Sequence, residues 1–114
     1  MRYHAAASVA SNFMVTLAFE AQKILEQSGF SEKSAKEALS YLMRQNLDSI
    51  IQRGPAAALT GPSERGDAGT VKGHISVLAP KERLFYIPMA RATLSLAKEK
   101  HPGRDYQELE ELLK

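Results

Sequence analysis

The sequence predicts an all-α fold, a bundle of about five to six helices. Two observations indicate this class. Apolar residues recur at three- and four-residue spacing along most of the chain, and no segment alternates polar and apolar residues as a half-buried strand would. Glycine and proline pairs divide these periodic segments into helix-sized lengths. A chain of 114 residues is long enough to bury one core and too short for a two-domain enzyme, so one domain is expected.

The first two helices are expected over residues 4–28 and from Ser31 to about residue 53. The first segment contains no glycine or proline and ends at Gly29, the residue type that most readily adopts the left-handed conformation after a helix. Ser31 is well suited to cap the start of the second helix. Gly54-Pro55 ends it, because proline excludes the preceding residue from the helical region.

A loop with an unusual composition follows. Gly61-Pro62 is a break of defined shape, and Asp67 is suited to cap a third helix over about residues 68–78. Because helix starts present unpaired amides, this loop is a candidate receptor for a carboxylate or phosphate. The alternative is a tight turn with no further role.

The last third of the chain is also helical in pattern. Ala79-Pro80 precedes a long apolar-periodic segment over about residues 81–100. Pro88 lies inside it and either kinks this helix or splits it after Ile87. Asp105 opens a final amphipathic turn or two.

The composition of the chain argues against several classes of function. The net charge is only +2 and charges of both signs alternate, which does not favour nucleic-acid binding. The absence of cysteine excludes a disulfide framework and a cysteine-type zinc site, and it favours a reducing compartment. No apolar run is long enough for a bilayer span and no signal peptide is visible, so a cytoplasmic location without membrane contact is expected. The three histidines, His4, His74 and His101, are not spaced as ligands on any one helix, and we expect no metal site.

Three polar residues near the start carry a candidate chemistry. His4, Ser8 and Asn12 are spaced by four residues, so they project from nearly one face of a helix whose other residues there are mostly small. An imidazole, a hydroxyl and a carboxamide in one row suit the orientation of a carbonyl or hydroxyl substrate and the transfer of one proton. The alternative is a solvated histidine beside a helix-packing seam. His74 is expected to face solvent or to join the loop.

Several short motifs follow one another in order: Tyr3-His4-Ala5-Ala6-Ala7, Ala10-Ser11-Asn12-Phe13, Gly54-Pro55-Ala56-Ala57-Ala58-Leu59-Thr60-Gly61-Pro62, Arg65-Gly66-Asp67, Thr70-Val71 and His74. In this order and spacing they resemble the C-terminal helical domain of predicted Rossmann-type NAD(P)-dependent oxidoreductases. These enzymes are relatives of pyrroline-5-carboxylate reductase, ketopantoate reductase and the deazaflavin-dependent NADP oxidoreductases. The resemblance covers about the first 80 residues and continues more loosely through Arg91-Ala92-Thr93-Leu94.

The resemblance implies a helical domain similar to the C-terminal domain of 6-phosphogluconate dehydrogenase. Such a domain packs beside a Rossmann domain and usually forms a homodimer. Residues 1–114 would be this single C-terminal domain, and the Rossmann domain that binds NADP or NAD would be absent, because no glycine-rich strand–turn–helix fingerprint precedes Tyr3. For this chain alone we therefore expect no bound cofactor and no catalysis.

The resemblance also implies site residues for a small carbonyl, imine or hydroxy substrate. His4 would be the proton donor or substrate orienter, with Asn12 and Ser8 as hydrogen-bonding partners, although relatives often have a lysine at the position of His4. Three residues of the loop would anchor the substrate: Thr60, Gly61 and Ser63.

Two other function classes are weighed against this one. A free-standing helical module would bind protein or nucleic acid through the basic region over residues 81–104. A hydrolase that uses Ser8 or Ser63 has little support, because no acid, base and nucleophile are arranged together in the sequence.

Overall fold

The computed structural model describes all residues, 1–114, and it is helical throughout. The helices are α1 (Arg2–Ser8), a π-helical segment (Val9–Phe13), α2 (Met14–Gln27), α3 (Glu32–Arg53), α4 (Pro55–Ala58), α5 (Pro62–Arg65), α6 (Ala68–Val77), α7 (Pro80–Lys100) and α8 (Gln107–Leu112). The π-helical segment joins α1 and α2 without a break, so the chain forms seven separate helices and no strand. The all-α class is thereby confirmed.

The expected number of helices was too low because two helices are only one turn long. α4 and α5 both lie between the second and third predicted helices, where the sequence predicted no helix, and each begins with proline at its first position. Proline is favoured there, since its missing amide would have no partner and its fixed φ angle is already helical. Four residues carry too little periodicity to be distinguished from a turn.

The chain divides into two compact units, Met1–Gln45 and Asn46–Lys114. In the first unit the end of α2 is a Schellman motif: Gly29 has a φ of 105°, its amide donates to Glu26, and the amide of Phe30 donates to Leu25. The Ser31 hydroxyl then accepts from the Ser34 amide at 3.0 Å. Both the predicted stop and the predicted cap are confirmed.

The first unit buries very little of its apolar surface. Ala35 is its one buried residue. Large apolar side chains on its helices are exposed instead: Val9, Phe13, Met14, Val15, Leu17, Phe19, Tyr41, Leu42 and Met43. The amphipathic stripes predicted from the sequence are present, but the residues of this unit do not cover them.

The second unit has a closed core that α6, α7 and α8 build together. Its buried members are Val71, Ala90, Leu94, Ala97, Tyr106, Leu109 and Leu113. α7 continues through Pro88, which is exposed, so the predicted alternative of a split after Ile87 does not occur. α6 begins as expected, because Asp67 accepts from both the amide and the hydroxyl of Thr70, at 3.0 and 2.7 Å.

Candidate functional site

The polar row of His4, Ser8 and Asn12 lies along the first helix. His4 is in α1, Ser8 is the last residue of α1, and Asn12 is inside the π-helical segment. His4 and Asn12 are exposed and Ser8 is half-buried. None of the three side chains makes a hydrogen bond within the chain, so an imidazole, a hydroxyl and a carboxamide are available together to a ligand.

The π-helical segment brings this row closer to a single line. In an uninterrupted α-helix the eight residue steps from His4 to Asn12 would turn by about 800°, which leaves the two side chains about 80° apart around the axis. A π turn is closed by i→i+5 hydrogen bonds and holds more residues than an α turn, so each residue advances by a smaller angle. The angle around the helix axis between the side chains of His4 and Asn12 is therefore smaller than α-helical spacing predicts.

The π-helical segment itself was missed by the sequence reasoning. Two hydroxyl side chains at or near this segment donate to main-chain carbonyl groups four residues earlier, as others do in the regular α-helices of the chain. Ser11 donates to Ala7 at 2.6 Å and Thr16 donates to Asn12 at 3.1 Å. π segments within α-helices occur frequently at functional sites.

The loop over residues 60–63 is the second predicted site and lies in the second unit. Gly61 has a φ of 99°, a conformation that side chains with a Cβ rarely adopt, and Pro62 then starts α5. Thr60 is exposed and Ser63 is half-buried. Neither hydroxyl has a hydrogen-bond partner within the chain, so both can bind a ligand.

A charged cluster around Glu64 directly follows this loop, and sequence reasoning missed it. The Glu64 side chain is only 15% exposed, and its Oε1 accepts from Nε2 of His101 at 2.7 Å. The same oxygen lies 3.6 Å from Nζ of Lys100 and 3.7 Å from a guanidinium nitrogen of Arg104. The hydrogen bond from His101, together with these cations, lowers the pKa of Glu64 although burial opposes the shift.

The main chain of Glu64 is bound as well. Its carbonyl oxygen accepts from the Tyr106 hydroxyl at 2.7 Å and from Arg104 at 3.0 Å. These partners lie 42 and 40 residues further along the chain, so no local sequence pattern connects them with the loop.

His74 is exposed, as expected, but it has a partner that the sequence did not reveal. Its Nδ1 lies 2.9 Å from the Tyr86 hydroxyl, and the two rings meet edge to face. The hydroxyl and Nδ1 are therefore hydrogen-bonded to each other, and burial raises the pKa of Tyr86.

Many cations of the basic region over residues 81–104 are bound within the chain. Arg83 and Arg91 donate to the main-chain carbonyl groups of Ile75 and Leu113. Others are paired elsewhere: Lys98 with Glu110, Lys100 with the Leu59 carbonyl and Glu64, and Arg104 with Glu64. The region is therefore a set of intramolecular contacts rather than a face of free positive charge.

The structure contains neither a cluster of metal ligands nor a helix suited to cross a membrane. No group of three or more histidine or acidic side chains lies close enough together to hold a metal ion. The helices include none with both the length and the apolar character that a membrane crossing requires.

Comparison with known proteins gives one match. Residues 1–93 match a family model described as "Domain of unknown function (DUF2520)". No curated protein and no solved structure matches the chain at a significant level. The polar row, the loop and Glu64 all lie within the matched residues, whereas Lys100, His101 and Arg104 lie beyond them.

Proposed function

We propose, from the premise that this chain belongs to the DUF2520 family, that it is the substrate-binding and dimerisation domain of an NAD(P)-dependent oxidoreductase. The enzyme transfers a hydride between the nicotinamide and a small carbonyl, imine or hydroxy compound. The resemblance to the helical domains of Rossmann-type oxidoreductases supports this reaction class. NADP or NAD binds mainly to a Rossmann domain outside this chain, so the chain alone does not catalyse.

The polar row is the observation that carries the proposal. When hydride adds to a carbonyl carbon, the oxygen gains negative charge and takes up a proton. In the proposal the His4 imidazolium gives that proton, and the Ser8 hydroxyl and Asn12 carboxamide hold the reacting group in place. Three such side chains without internal partners, brought into line by a π-helical segment, are suited to this role.

The loop over residues 60–63 is proposed as a substrate anchor in the whole enzyme. Thr60 and Ser63 offer hydroxyl groups without partners, and the positive φ of Gly61 gives the main chain between them its turn. Hydroxyl and main-chain groups of this kind bind a carboxylate or another polar group of a small substrate.

The exposed apolar side chains of residues 1–45 support the dimerisation role. A unit with one buried residue and many exposed large apolar ones needs a further surface to cover it. We propose that a second copy of the chain does so as a homodimer, which is the commonest symmetric assembly.

The alternative, a free-standing helical module that binds protein or nucleic acid, has less support. Binding to a phosphate backbone requires several free cations, and those of the 81–104 region are largely engaged within the chain. Binding to DNA or RNA that weakens steeply with salt would favour this alternative.

The experiment uses the protein that contains the Rossmann domain. Oxidation of NADPH and NADH is measured with a panel of small aldehydes, 2-oxo acids and cyclic imines. We expect His4→Ala and Asn12→Ala to lower kcat/KM by about 100-fold or more, the scale of a lost proton donor. Gln27→Ala removes another exposed carboxamide of the same helix and should leave kcat/KM unchanged. Full activity in both variants would show that His4 and Asn12 are not part of the substrate site.

A further inference from the structure

The loop over residues 60–63 is flanked on both sides by contacts to the end of α7 and the residues after it. Directly before the loop, Nζ of Lys100 donates to the Leu59 carbonyl at 2.7 Å. Directly after the loop, the Glu64 carboxylate accepts from His101 at 2.7 Å and faces Lys100 and Arg104. The side chains of the loop make no hydrogen bond. Main-chain hydrogen bonds within residues 61–67 shape its turn, and the two flanking contacts attach it to the end of α7.

A third contact lies just after α5. Gly66 is left-handed with a φ of 74°, and a Cβ built on it would lie 3.4 Å from the Asp105 carbonyl oxygen and 3.6 Å from the Tyr106 ring. The left-handed conformation favours glycine here, and the two chain segments lie in van der Waals contact at this point. The Tyr106 hydroxyl then reaches back to the Glu64 carbonyl.

Glu64 is the only acidic group in this cluster, which makes it the centre of the arrangement. Three basic side chains converge on one carboxylate that is only 15% exposed. Without the carboxylate, His101 would lose its hydrogen-bond acceptor, and Lys100 and Arg104 would lose their shared counterion. The Glu64 side chain is therefore the group that links these three side chains to α5.

We propose that Glu64 is a positioning residue that holds the 60–63 loop in one conformation by binding it to residues 100–106. The part of this loop in substrate binding rests on the proposed function, whereas the attachment itself does not. The partners of Glu64 lie beyond the residues matched by the family model.

The test measures amide hydrogen exchange of the peptide over residues 56–66 in the 114-residue chain. We expect exchange in Glu64→Ala to be roughly threefold to tenfold faster than in the unmodified chain, the scale of one lost hydrogen bond of ordinary strength. His101→Ala should have a smaller effect in the same direction. His101→Gln keeps a donor near the position of Nε2 and should restore slow exchange. Glu108→Gln removes an exposed carboxylate from α8 and serves as the matched control.

Two results would overturn the proposal. One is unchanged exchange over residues 56–66 in Glu64→Ala. The other is equal acceleration there and in α7, with no rescue by His101→Gln, because this would show a general loss of stability rather than a local release. Neither result depends on a substrate.

The Rossmann-containing protein separates this proposal from the proposed function. Glu64→Ala should raise KM with kcat unchanged, because a positioning residue acts on substrate binding through the loop. If exchange accelerates locally while KM stays the same, Glu64 still positions the loop, and the loop is not part of the substrate site.

Discussion

His101 donates from Nε2 to Oε1 of Glu64 across 2.7 Å, although 37 residues separate them. This contact attaches a one-turn helix to the end of the longest helix of the second unit. An isolated helix of four residues has no stability of its own, because nucleation costs more than one turn returns. α5 therefore depends on tertiary contacts, and the Glu64 side chain supplies several of them.

Acid should destabilise the second unit through two carboxylates. The pKa of Glu64 is lowered, chiefly by the His101 hydrogen bond, and that of Asp67 is lowered, chiefly by the Thr70 hydroxyl and amide. The charged groups that face them are all basic: Lys100, His101 and Arg104 around Glu64, and Arg65 beside Asp67.

A carboxyl group whose folded pKa lies below its unfolded value stabilises the fold above the unfolded pKa, and this contribution is lost as the pH falls through the folded pKa. We expect these two groups to cause no change of the thermal midpoint with pH near neutrality. When the pH is lowered past about 4, the thermal midpoint should decrease. In calorimetric scans at a series of pH values, Glu64→Gln should make the decrease of the thermal midpoint at acid pH shallower. An equally steep decrease in the variant would contradict the assignment to Glu64.

The core of the second unit should be sensitive at Leu109. Its side chain is fully buried among residues of α6 and α7, so Leu109→Ala leaves a cavity as well as losing apolar burial. We expect the free energy of unfolding to fall by about 2 to 5 kcal/mol in urea denaturation. Leu84→Ala, at a position that is 79% exposed, should change it by less than about 0.5 kcal/mol. Similar losses of unfolding free energy in both variants would contradict the burial of Leu109 in the core of the second unit.

The exposed apolar side chains of the first unit should mediate self-association. Leu42 lies mid-helix in α3 and is 53% exposed, so Leu42→Lys adds a charge there with little loss of helix propensity. Sedimentation of the unmodified chain should show a dimer, with a dissociation constant at least about tenfold higher in Leu42→Lys.

Val77→Lys is the control for this measurement, since Val77 is 81% exposed in the second unit. It should leave association unchanged. A monodisperse monomer of the unmodified chain at high concentration would exclude the dimer.

Deletion of Ala10 tests the π-helical segment. Removing one residue from this segment should allow regular α-helical bonding from α1 to α2, because an i→i+5 turn contains one residue more than an i→i+4 turn. Ser8 and Asn12 are then three α-helical steps apart, which is about 300° of turn, so their side chains lie about 60° apart around the axis.

In this deletion variant the helix content by circular dichroism should persist, while NAD(P)H oxidation by the Rossmann-containing protein should fall, because the Asn12 carboxamide no longer lies in line with the Ser8 hydroxyl. Ala10→Gln keeps the chain length and serves as the control. Full activity after the deletion would show that the alignment of the row is unimportant.

The features that the sequence predicted correctly are determined by neighbouring residues. The stop at Gly29 and the caps at Ser31 and Asp67 each depend on a hydrogen bond within a few positions along the chain. Helical periodicity likewise requires only the order of apolar residues. The all-α class followed from such local rules.

The features that it missed depend on distant residues or on small differences within a helix. The contact between Glu64 and His101 requires the fold to bring two distant segments together, and neither residue type is distinctive alone. The π-helical segment differs from an α-helix by one hydrogen-bond step over five residues, too short a stretch for its apolar spacing to be distinguished from that of an α-helix. Periodicity also does not reveal what covers an apolar face, so the exposure of Phe13 and Leu42 had no sequence signal.

The central claim, that this helical domain works with a nucleotide-binding domain, is tested most directly by the reading frame upstream of Met1 and the intact mass of the protein in its native cell. The account predicts an in-frame segment with a strand, a glycine-rich turn and a helix, and a protein larger by about one domain of 100 to 150 residues. A native protein with a mass of 12.6 kDa would contradict the oxidoreductase assignment and favour a helical binding or assembly module.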